Sequence, residues 1–137
     1  MSINWRIILA LGLVVYLVNV PAAEPSLTNM YWRAVSVTDQ KLSLAPEIIP
    51  HIAFHEEEGR VAGFGGCNRF FATYEHHDRA LTIRVMGGGR AQCPELNGLE
   101  SRFLSSLQST QRFSIENKTL KLANETGVLI EFVGVER

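Results

Sequence analysis

From Met30 to Val133 the apolar residues mostly alternate with polar ones, and Gly, Pro, Asn and Asp punctuate the chain at short intervals. Strict alternation puts successive side chains on opposite faces of an extended strand, so this pattern predicts an all-β chain with one buried face. In Met30–Val37 (MYWRAVSV), Tyr31, Arg33, Val35 and Val37 fall on one side and Met30, Trp32, Ala34 and Ser36 on the other. Further strands are expected at 51–55, 60–64, 70–75, 80–86, 111–115, 119–122 and 128–133. Thr38 to Pro50, with Pro46 and Pro50, fits a crossing loop better than a tight hairpin. The last strand, VLIEFV, is apolar on both faces except at Glu131, which predicts a central position.

One segment breaks the rhythm. Between Pro94 and Gln108, Leu96, Leu99, Phe103, Leu104 and Leu107 fall on one helical stripe. Pro94 suits a first helical turn, and Glu95 favours the same end through the helix dipole. Gly98 weakens such a helix by about 1 kcal/mol relative to Ala. The expected fold is therefore mainly β (α+β): a small, strongly curved antiparallel sheet or partly open barrel of about eight strands. One amphipathic helix precedes the last three strands and covers an end or seam.

The N-terminus differs from the rest. Arg6 is followed by an uncharged apolar run, Ile7 to Val20, and then by Pro21-Ala22-Ala23. A bilayer span needs about 20 apolar residues, so residues 1–22 are expected to be a signal peptide cleaved after Ala22, with Ala23 the next choice. An uncleaved anchor using Trp5 and Tyr16 as interface aromatics is the alternative. Residues 23–137 then form one domain of about 115 residues. Without Arg6 it has 12 Lys+Arg against 14 Asp+Glu, a formal charge of −2 with the signs interspersed. That balance offers no footprint for nucleic acid or an anionic membrane.

Gly63-Phe64-Gly65-Gly66-Cys67-Asn68-Arg69-Phe70-Phe71-Ala72-Thr73-Tyr74 is the most distinctive stretch. Its glycines permit a sharp bend or bulge at a barrel corner, and Asn68 can bond backbone groups within it. The stretch resembles the G-x-x-GCNxFxGxY signature of the META domain (HslJ-like) family, with Ala72 where a Gly is common. Trp32, Ile52, Phe54, Arg60, Val61, Cys93-Pro94-Glu95, Gly127, Ile130 and Phe132 also fall in that family's order, so the resemblance covers about Thr28 to Val133. It implies an exported, non-enzymatic protein of the bacterial cell envelope, periplasmic or outer-membrane associated, acting in stress response or envelope maintenance through binding.

Cys67 and Cys93 are the only cysteines. An even count in an exported chain favours a disulfide, with two buried thiols as the other reading. Cys93 before a helix could instead carry thiol chemistry, which makes a thiol-dependent enzyme an alternative, although no Cys-x-x-Cys pair or marked base accompanies it. Glu56-Glu57-Glu58 reads as a solvated hairpin tip, and His76-His77-Asp78 as an exposed turn rather than a metal site, since neighbouring strand residues face opposite ways. No catalytic residue, metal or cofactor is expected.

An interaction surface is expected around Gly65, Gly66, Asn68, Arg69 and Arg90. The same residues could instead only shape the barrel corner. A second functional reading is a carrier of an apolar ligand or lipid in a cavity lined by Phe54, Phe103 and Leu107. The expected partners are an envelope protein or a lipid, with a monomeric domain that does not span the membrane.

Overall fold

The computed structural model describes residues 11–19 and 24–137. The expected leader lies largely outside the described residues, and its cleavage point wholly so. Residues 11–19 have no regular secondary structure and are exposed. No helix among the described residues is long and apolar enough to cross a membrane.

Eight strands close into an antiparallel barrel, β1 (Met30–Val37), β3 (His51–His55), β4 (Arg60–Phe64), β5 (Arg69–His77), β6 (Ala80–Gly88), β7 (Arg112–Glu116), β8 (Thr119–Asn124) and β9 (Gly127–Glu136). Pairing of β9 with β1 completes the ring. The strands follow the alternation of the sequence because every second side chain must enter the core. A two-residue strand, β2 (Gln40–Lys41), pairs with the end of β1. The segment after β1 therefore begins as a tight hairpin, with Thr38 and Asp39 at φ 47° and 63°, before it crosses to β3.

Two expectations on β1 and β9 need correction. Met30, Trp32 and Ala34 point inward, but a bulge between Ala34 and Ser36 adds one residue against β9 and turns Val37 inward too. Strand β9 is paired on both sides, yet its second apolar face is not covered. Val128, Val133 and Val135 are exposed on the outer wall. Closure gives every strand two neighbours, so a doubly apolar strand no longer marks a sheet centre.

The predicted helix is divided. Pro94–Leu96 forms a single 3₁₀ turn, Asn97 and Gly98 adopt left-handed backbone at φ 51° and 77°, and only Leu99–Gln108 is α-helix, α1. Glycine at 98 supports that reversal without a Cβ clash. Leu96 stays buried beside Leu99, Phe103 and Leu107, so the apolar stripe survives the break.

Closure is thinnest between β6 and β7, which share the pair Ala80 and Arg112 and two flanking backbone hydrogen bonds, Leu81 N–H to Gln111 (3.0 Å) and Phe113 N–H to Arg79 (2.9 Å). Helix α1 packs against β6, β9 and β1. Phe103 is fully buried, with its ring 6.1 Å from both Phe70 and Phe132 in edge-on contact. Trp32 is also fully buried, and its Nε1–H donates to the Leu27 carbonyl at 3.0 Å. Phe103→Ala removes the side chain that joins helix to barrel and is expected to cost about 3–5 kcal/mol. Urea unfolding followed by far-UV circular dichroism measures the loss as a lower midpoint.

Candidate functional site

The glycine-rich corner between β4 and β5 meets the first turn of α1 at one carboxylate. Glu100 Oε2 accepts from the backbone N–H groups of Cys67 (2.9 Å) and Asn68 (2.6 Å), and Oε1 accepts from Asn68 Nδ2 (2.7 Å). Asn68 in turn pairs with Ala91 as a strand would: Oδ1 accepts its N–H and Nδ2 donates to its carbonyl, both at 2.9 Å. A Cβ on Gly65 would lie 2.7 Å from both Cγ and Oε2 of Glu100, so the carboxylate reaches the corner only because residue 65 has no side chain.

Cys67 and Cys93 are joined by a disulfide with Cα atoms 5.9 Å apart, tying the corner to the segment before α1. Three of the residues expected on an interaction surface are consumed here. Gly65 and Gly66 are buried and Asn68 is half-buried in the Glu100 network, so they shape the corner and do not present a surface. Arg69 and Arg90 are exposed. The Arg69 carbonyl accepts from Gly89 N–H at 3.0 Å, and its charge is felt at Tyr31 and His51 on the outer wall beside the corner.

Alternation alone does not mark Glu100, which reads as an ordinary acid on a short helix. Its three bonds cross more than 30 positions of sequence. The hint available in the sequence was Gly65, a glycine whose role only a close approach explains.

The expected internal cavity is absent from this region: Phe54, Phe103 and Leu107 are fully buried in the core, and Phe54 packs edge-on against Tyr74 at 5.0 Å. The concavity lies outside instead. A groove of about 760 Å³ runs over β4, β5 and β6, with Ala62, Phe71 and Met86 as its apolar part and Glu57, Glu58 and Arg60 at one rim. Met86 faces outward by alternation with Thr82 and Arg84, and a bulge there sets Gly87 opposite Phe71. Phe71 and Met86 are 61% and 57% exposed, values that set them apart from the sealed core. Arg60 bonds the Glu58 carboxylate at that rim.

Beside the groove, Tyr31 and His51 place their rings 4.7 Å apart, and His51 and Phe64 5.5 Å apart. Burial raises the Tyr31 hydroxyl pKa above its usual value, against the opposing influence of Arg33 and Arg69. Burial also lowers the His51 pKa, helped by Arg69 and Arg33 and opposed by its hydrogen bond to the Ile49 carbonyl. Among the described residues, no cluster of three His, Cys, Asp or Glu is placed to hold a metal.

Two outcomes follow from this geometry. Glu100→Gln puts an NH₂ where three donors converge, and is expected to cost about 1–3 kcal/mol despite equal size. Faster amide hydrogen exchange at Cys67 and Asn68 reports the lost acceptor. His51, with its folded pKa below that of the unfolded chain, stabilises the domain fully above about pH 6.5. That contribution falls as pH drops through the lowered folded value, because the unfolded chain then binds the proton more readily. Urea midpoints measured from pH 7.5 to 4.5 are expected to decline less in His51→Phe than in the natural protein.

The comparisons with known proteins agree with the fold. The described barrel is similar to an NMR structure of a protein from Burkholderia xenovorans, at 19% identity and TM-score 0.61, covering 85% of this chain and 95% of that one. A second NMR structure matches at 22% identity and TM-score 0.59, over 78% and 90% of the two chains. A crystal structure of a DUF4847 family protein from Bacteroides vulgatus matches at 15% identity and TM-score 0.59, over 81% and 96%. Among curated proteins the chain has no match. These likenesses show the shared fold, and the META domain model matches residues 25–136, spanning every strand and the helix. The chain belongs to the META domain family.

Proposed function

We propose that this META domain is an exported, non-enzymatic binding protein of the bacterial cell envelope, periplasmic or outer-membrane associated, serving in envelope maintenance under stress. The observation that carries the reading is the Cys67–Cys93 bridge. Disulfides persist in oxidising compartments, and the apolar N-terminal segment supplies a route to one. The bridge also bears on the thiol-enzyme alternative. A catalytic cysteine must present a thiolate, and both cysteines of the chain are spent on the bond.

A filled barrel speaks against carriage of a ligand inside it. With the large core side chains in mutual contact, binding belongs on the outer wall, where apolar side chains and a groove are accessible. No group in the Glu100 corner is free to act on a substrate: its carboxylate is committed to three donors and its cysteines to each other.

Protein purified from the exported fraction and denatured without reductant is expected to show no free thiol and a mass that begins after Ala22. Two titratable thiols would overturn the bridge that carries this reading, and an intact leader would replace cleavage by the uncleaved anchor. In the chain-entropy model, reduction of a bridge spanning 26 residues costs roughly 3–4 kcal/mol. Unfolding with and without reductant is therefore expected to differ by that amount, with a steeper slope for the reduced chain, whose unfolded state is less compact.

A further inference from the structure

The outer wall carries a second pattern beside the groove. Arg33 on β1 lies opposite His51 on β3, His51 opposite Phe64 on β4, and Phe64 opposite Arg69 on β5. Their neighbours Trp32, Ile52 and Phe70 are buried in the core, so these four side chains stand on the outward face. The row thus reads cation, aromatic, aromatic, cation across about 14 Å of wall. Tyr31 lies against the His51 ring within it. Among the described residues neither arginine forms an ion pair with a carboxylate.

The next outward row is apolar. Tyr31, Ala53, Ala62 and Phe71 are register partners on the same four strands, and Phe71 leads into the groove with Met86. Arg69 therefore stands two residues before Phe71 at one end of the groove, and Arg33 stands three strands further along the same outward row, both without a carboxylate partner. The groove's volume of about 760 Å³ suits one small molecule.

We propose that this face binds a single anionic amphiphile, its phosphate or carboxylate head between Arg33 and Arg69 and its apolar chain over Phe71 and Met86. Arginine donates paired N–H groups to such heads in the geometry they require. The Tyr31 hydroxyl and the His51 ring, which both arginines influence, stand beside the head position. A monomeric ligand fits better than a membrane surface, because Glu57 and Glu58 rise at the opposite rim of the same groove. An anionic bilayer would meet them, while one molecule with its head at the arginine end does not.

The inference rests on reading the domain as a binding protein and adds the class of ligand. The test titrates the oxidised protein by calorimetry with dodecyl phosphate below its micelle concentration. Dodecyl maltoside supplies the same chain with a neutral head, and inorganic phosphate supplies the head alone. Dodecyl phosphate is expected to bind at least about 10-fold more tightly than either, since bonds to a charged group carry that much discrimination. The double variant Arg33→Gln/Arg69→Gln, and separately Phe71→Ser, are expected to weaken it by about 10-fold or more. Arg112→Gln, on β7, is expected to leave it unchanged. Thermal midpoints of all variants establish that they fold, and the comparison of the three probes needs no variant.

Equal affinity for the neutral and anionic probes would overturn the proposal, as would binding untouched by the arginine substitutions. Attachment to phosphatidylglycerol vesicles without binding of monomeric dodecyl phosphate would overturn it too, in favour of a membrane-docking face. A processed, bridged protein that ignores dodecyl phosphate refutes this inference alone. Free thiols in a protein that binds it refute the bridge on which the export reading rests, and leave this inference standing.

Discussion

One carboxylate ties the start of the helix to the corner of the barrel. Glu100 projects from the first turn of α1 into the corner between β4 and β5, where three N–H donors converge on it. Hydrogen bonds to a charged acceptor are about twice as strong as neutral ones, and backbone donors at a corner have no strand partner to satisfy them otherwise. The disulfide acts on the same joint from the other side, tying Cys67 in the corner to Cys93 ahead of the helix. Strands β6 and β7 diverge after a single pair, and α1, which connects them in the chain, packs Phe103 and Leu107 into the core.

A barrel sealed in this way has little freedom inside. Trp32, Phe54, Phe103 and Phe132 are all fully buried and form part of one cluster. What the molecule can still vary is its outer wall, where closure gives every strand a face without a structural duty. The exposed valines of β9, the Phe71 and Met86 pair and the row of rings on β1, β3 and β4 all occupy that face.

The strands were legible in the sequence because alternation records directly which side chains meet water. The eight strand positions and the helix before the last three emerge from that pattern with modest shifts at their ends. Features that depend on a partner strand were not legible. The bulge after Ala34 exists only relative to β9, so Val37 was assigned to the wrong side. The doubly apolar β9 suggested burial that a closed ring does not supply. The break at Asn97 and Gly98 depends on backbone conformation, and the helical periodicity of the leucines runs through it undisturbed. The Glu100 network and the groove were hidden for a related reason. Each is assembled from segments far apart in the chain, and each uses residues of ordinary type. The pairing of Cys67 with Cys93 was legible as one of two outcomes, and only their placement decides it.

The approach of Glu100 to Gly65 also ties the histories of two positions together. Any side chain at 65 would occupy the space of the carboxylate, at 2.7 Å from it, while a shorter residue at 100 would leave the corner donors unanswered. Neither position can drift alone. Among related chains, a departure from glycine at the first should coincide with replacement of the acid at the second, together with a new acceptor for the corner. The two residues, 35 positions apart in the chain, would then be inherited as a single character.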